Sequence, residues 1–148
     1  MITDVRKQTL IGAGASLVLG ASAFLPWLSL GNLGLAGVPD PAGYFVAAVG
    51  VVGAGLAGGA WRGSRAAGRM LLLPGLAGLT TLAVVALTGP ATIADRALAH
   101  AEAVALVDNV AAQAPPAVHL SYGLVVGLLA SVVVTAVGLR AYLVSSEA

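Results

Sequence analysis

The chain contains no cysteine, a single lysine, and little charge of either sign. Without cysteine it can form no disulfide, no thiolate nucleophile and no cysteine-ligated metal site. Charged residues make up 9% of the 148, against roughly 25% in a soluble domain. That is too few to cover a water-facing surface. Two histidines, His100 and His119, could in principle join Asp95, Glu102 or Asp108 in a metal site. No two of these residues have the spacing of a known ligand motif. No serine stands in a nucleophile-elbow setting. The sequence therefore predicts no catalytic residue, no cofactor, no metal and no enzymatic activity.

What the chain has is apolar length. Hydrophobic residues are 59% and mean hydropathy is +0.98. Charges leave four clear runs, at 8–39, 41–61, 70–94 and 109–139. Each exceeds the roughly 20 residues a helix needs to cross about 30 Å of hydrocarbon. In lipid every backbone group must bond within its own segment, and the runs lack the alternation of barrel strands. The predicted fold is an all-α membrane protein, a four-helix transmembrane bundle forming one domain over 1–148. Its spans lie at about 9–30, 43–61, 70–89 and 119–143, and an outer loop covers 90–118. Trp27, Tyr44 and Tyr122 fall near the span ends of one face, and Trp61 and Tyr142 near those of the other, as aromatic belts require.

Basic residues set the orientation. Arg6, Lys7, Arg62, Arg65, Arg69 and Arg140 fall on one side and Arg96 alone on the other, which predicts a cell-membrane protein with both termini cytoplasmic. A second reading of the N-terminus treats Arg6-Lys7, the run from Leu10 to Gly20 and Ala21-Ser22-Ala23 as the regions of a cleavable signal peptide. The apolar stretch continues through Phe24 to Leu30, longer than a signal core needs. Cleavage after Ala23 would leave three spans in the same orientation.

Gly53, Gly55 and Gly58 match the G-x-G-x-x-G spacing of a dinucleotide-binding turn. Such a turn needs an acid about 20 residues on for the ribose. The chain offers Arg62, Arg65 and Arg69, and no acid before Asp95. We read these glycines instead as helix surface that allows close backbone approach in lipid, with no nucleotide and no nucleic acid as partner. The predicted packing strips are Gly12, Ser16 and Gly20 in span one, and Gly50, Ala54 and Gly58 in span two. Span four contributes Gly123, Gly127 and Ser131, continued by Thr135. Pro74, Gly75 and Gly78 predict a kink in span three.

The outer loop has its own periodicity. Ile93, Ala97, Ala101, Val104, Val107 and Ala111 recur at helical spacing, with Asp95, Glu102, Asn109 and Gln113 on another side. This predicts a short interfacial helix, bounded by Pro90 and by Pro115-Pro116.

Phe24-Leu25-Pro26-Trp27, the glycine-rich segment Gly31 to Gly37 and the acid Asp40 before span two form a pattern over the first third of the chain. It resembles small four-span membrane proteins of unknown function from high-GC prokaryotes, including haloarchaea. The resemblance implies a membrane location and names no activity. The four-span plan is also that of claudins, but their first-loop cysteines and G-L-W motif are missing here.

Two function classes follow. One is a structural or accessory subunit, packed against the lipid bilayer and other membrane proteins or copies of itself. The alternative is a small transporter or channel, possible as an oligomer, with a path lined by hydroxyls such as Ser16, Thr80, Thr81, Ser131 and Thr135. No charged or amide side chain sits at mid-depth to bind a substrate, which favours the first class.

Overall fold

A computed structural model describes residues 2–109, 111 and 114–146, with side chains described between 6 and 144. The chain is mostly helical. Helix α1 covers Ile2–Ser22, α2 Pro41–Trp61, the short α3 Arg65–Met70, α4 Leu72–Asp108 and α5 Tyr122–Ser146. α1 packs on α2 and α5, and α4 packs on α5 and α2, so the four long helices close a ring. Three segments are long and apolar enough to cross a membrane: Pro41–Trp61, Arg65–Asp108 and Tyr122–Val144.

The helix ends follow local chemistry. Asp40 caps α2, its carboxylate accepting from the Ala42 amide at 3.0 Å, and Pro41 takes the first helical position, where a missing N–H costs nothing. Gly63, at φ +94°, lets the chain leave α2 in a conformation that side chains resist. Ser64 then caps α3, accepting from the Ala67 amide at 3.3 Å. Asn109 ends α4 in the left-handed region, φ 52° and ψ 42°.

The sequence reading needs correcting in three places. The first helix stops at Ser22 and does not run on to Leu30. Ala23, Phe24 and Leu25 donate to carbonyls only three residues back, tightening the turn, and Pro26, with no N–H, ends it. Residues assigned to the end of span one instead form strand β1, Pro26–Leu30, which pairs with β2, Leu33–Ala36. Gly31, at φ +59°, occupies the first central position of this two-residue hairpin loop, the position a type II′ turn reserves for glycine. The third strand, β3 at Val118–Leu120, adds to the other edge of β1, giving an antiparallel sheet in the order β2-β1-β3. The fold is thus helical with a small sheet, and not all-α.

The second correction concerns the outer loop. No separate interfacial helix exists among the described residues, because α4 continues without a break through Pro90 to Asp108. An alanine-rich sequence with strong helix formers carries it past the proline. Thr88 and Thr92, on either side, donate back to the carbonyls of Val84 and Thr88. At 37 residues α4 is about 56 Å long, nearly twice a hydrocarbon core. Third, Pro74 is in the first turn of α4, where the absent N–H breaks no intrahelical bond. The joint falls earlier, at Leu71 between α3 and α4.

Candidate functional site

The bundle's interior is built from hydroxyls seated on glycines. Ser16, Ser22 and Ser131 are fully buried. Each donates to its own helix: Ser16 Oγ to the Gly12 carbonyl at 2.8 Å, Ser22 Oγ to Leu19 at 2.7 Å and Ser131 Oγ to Gly127 at 2.9 Å. Thr135 Oγ1 does the same to Ser131 at 2.7 Å. Opposite each hydroxyl lies a glycine of a neighbouring helix. A Cβ placed on Gly53 would come within 2.7 Å of Ser16 Oγ, one on Gly127 within 2.7 Å of Ser22 Oγ, one on Gly78 within 2.9 Å of Ser131 Oγ, and one on Gly75 within 2.5 Å of Thr135 Oγ1. A hydroxyl satisfied by its own backbone carries no desolvation penalty into the core, and a glycine opposite leaves room for the helices to close up.

The predicted strips are placed as follows. Gly12 faces Val137 of α5, 3.2 Å from a Cβ placed there, and Gly20 meets the Gly50 backbone of α2. Gly50 is the tightest point of that pair, since a Cβ would fall 2.5 Å from the Gly20 Cα and 2.8 Å from the Ser16 carbonyl oxygen. On α5, Gly123 lies under the Pro26 carbonyl, with Gly127 and Ser131 following at the same face. Span two departs from its predicted strip. Ala54 is only half-buried and Gly58 faces outward with nothing within 4 Å. The inward line of α2 runs instead through Gly43, Val46, Gly50, Gly53 and Ala57.

Sequence reasoning missed the contact roles of Gly53, Gly75 and Gly78. Gly53 stood inside the dinucleotide-like spacing, and the other two beside Pro74 read as a kink. Gly53, Gly55 and Gly58 all lie within the single helix α2, so they do not form the strand-to-helix turn of a dinucleotide site.

A second constellation closes the bundle's sheet-bearing end. Trp27 is 3% exposed, and its Nε1 donates to the Ser22 carbonyl at 2.8 Å. Its ring lies against Gly37, where a Cβ would come within 2.5 Å of Cε2. Its carbonyl accepts from the Ser121 amide at 2.8 Å, so one residue joins α1, the hairpin and the start of α5. Trp27 is therefore a core residue and not part of an aromatic belt. Tyr44, Trp61, Tyr122 and Tyr142 are exposed near the bundle ends, as are Phe24 and Phe45.

Among the described residues no three His, Asp or Glu side chains lie close enough to hold a metal, and no buried side-chain polar atom lacks a partner. Thr80 and Thr81 line a shallow groove with Ala42, Val84 and Val85. Their hydroxyls bond the carbonyls of Leu76 and Ala77. No known protein family matches the chain, and no curated protein or solved structure matches it significantly.

Proposed function

We propose that the chain is a multi-pass protein of the cell membrane, crossing four times with both termini cytoplasmic, and that it serves as a structural or accessory subunit without catalytic activity. The fourth crossing is α1. Its uncharged part, residues 8–22, covers about 22 Å and is continued by the apolar residues 23–28, and the helix packs on α2 and α5. The orientation rests on the six basic residues at one end of the bundle against Arg96 at the other.

The observation that carries the accessory reading is the commitment of the interior hydroxyls. Ser16, Ser22 and Ser131, the fully buried ones, are each bonded to their own backbone and covered by a glycine, so these positions offer no row of free polar groups for a solute to follow. This weighs against the transporter alternative.

The far end of α4 supports the same reading. Leu28 of the sheet reaches Gly89, and Ile93 packs on the sheet-side core. Residues 94–108 continue past it for about 22 Å. This stalk buries Ala105 on one side and exposes Leu106 and Val107 at 83% and 84%. Leaving such side chains in water forgoes about 1.5–3 kcal/mol each, so a partner surface over them is favoured. Isolation from native membrane in mild detergent should recover a stoichiometric partner, and Leu106→Ser with Val107→Ser should release it while the chain stays membrane-bound. A clean homo-oligomer insensitive to the pair of substitutions would contradict the accessory role.

A further inference from the structure

We infer that the basic end of the bundle is a binding surface for the phosphate groups of anionic phospholipids, centred on Arg62, Arg65 and Arg69. The inference rests on the membrane reading above and adds a ligand to it.

The geometry brings basic residues from four elements to one end. Arg6 of α1 lies over the Trp61 ring at 5.7 Å. Gln8, with its amide oriented to suit, accepts from the Arg140 guanidinium of α5 at 3.0 Å. The short α3 lies across the ends of α2 and α5, since a Cβ on Gly68 would meet Ala60 and Ala141 at 3.8 and 3.6 Å. Ala67 and Gly68 take the inward side of α3. Arg65 and Arg69, one turn apart, take the outward side, and both are exposed, as is Arg62 just before them.

Among the residues whose side chains are described, none at this end is acidic. Asp4 and Glu147 in the sequence still leave a net charge of +4 there. Arginine here outnumbers lysine five to one. Its planar fork matches phosphate oxygens two at a time, which a lysine cannot do. Exposed Trp61 and Tyr142 place the cluster at headgroup depth, where an anionic leaflet attracts basic side chains. Arg6 and Arg140 also join neighbouring helices, and the exposed α2–α3 arginines, with Lys7, form the face turned to the lipid.

The test uses the full chain in membranes of mixed phosphatidylcholine and phosphatidylglycerol, extracted mildly, with the lipids retained per protein quantified. Phosphatidylglycerol should be enriched several-fold over its share of the bulk membrane, and the enrichment should fall as salt is raised. Arg62→Gln with Arg65→Gln and Arg69→Gln should bring it to less than half, and Arg96→Gln at the opposite end should leave it unchanged. If the triple variant fails to accumulate, Arg65→Gln alone should show a smaller loss of the same kind. Three results would each overturn the inference: retained lipid of bulk composition, equal losses in Arg96→Gln and the triple variant, or inorganic phosphate displacing the enriched lipid at millimolar concentration, which marks a site for free phosphate. A chain that stays inserted with its partner yet retains lipid of bulk composition refutes this inference alone. Failure of the membrane reading would show separately, in loss of insertion.

Discussion

At the scale of single residues, glycines on one helix have opposite duties. Gly50 touches the Gly20 backbone, and Gly58 on the same helix faces open space. Gly50→Val should lower the thermal-aggregation midpoint in detergent well below wild type, because α1 must move outward and lose dispersion contacts along its length. Gly58→Ala should leave it unchanged or raise it, since alanine removes up to about 1 kcal/mol of helix-propensity cost where nothing is in the way. Trp27 gives a second residue-scale test. Trp27→Phe keeps most of the ring but removes one of the two donors to the Ser22 carbonyl, which retains the Leu25 amide; the lost bond should cost about 0.5–1.5 kcal/mol, read as a lower midpoint in the same assay. The sequence showed that small residues were concentrated at helical spacing. It did not show which line along α2 faced inward, because glycine and alanine occur on all sides of that helix and periodicity needs contrast.

The elements show where a charge-based reading of the chain stops. Uncharged runs locate apolar segments, and α2 and α5 begin and end within a few residues of the predicted spans. The same runs cannot separate helix from strand where an apolar stretch crosses an interface. Phe24 to Leu30 was therefore assigned to the first helix, although Pro26 and the Gly31 turn direct it into a hairpin. Pro90 misled in the other direction, since helix formers on both sides carry α4 past it. The sheet can be tested directly. Ser29 of β1 is paired with His119 of β3, and antiparallel partners lie within disulfide reach. In a chain without native cysteine, Ser29→Cys with His119→Cys should cross-link on mild oxidation with little change in stability. Ser29→Cys with Leu33→Cys, on the neighbouring strand but out of register, should cross-link far less. Equal yields would mean that the β1–β3 register is wrong.

For the whole molecule, the arrangement has two unlike ends. One carries arginines, a short capped helix and the helix termini. The other carries a sheet closed by Trp27 and a helical stalk with apolar side chains exposed near its tip. The contrast in charge between the ends was legible in the sequence. The shape of the far end was not, since it depends on β1 pairing with a strand about 90 residues later, and no local pattern reports that. The central claim is that this polarity is membrane topology, with α3 inside the cell and the α4 stalk outside. Ser64 and Ala103 are both exposed and mark the two ends. In intact cells, an impermeant thiol reagent should label Ala103→Cys and should reach Ser64→Cys only after the membrane is permeabilised. Labelling of Ser64→Cys from outside intact cells, or protection of Ala103→Cys, would contradict the account.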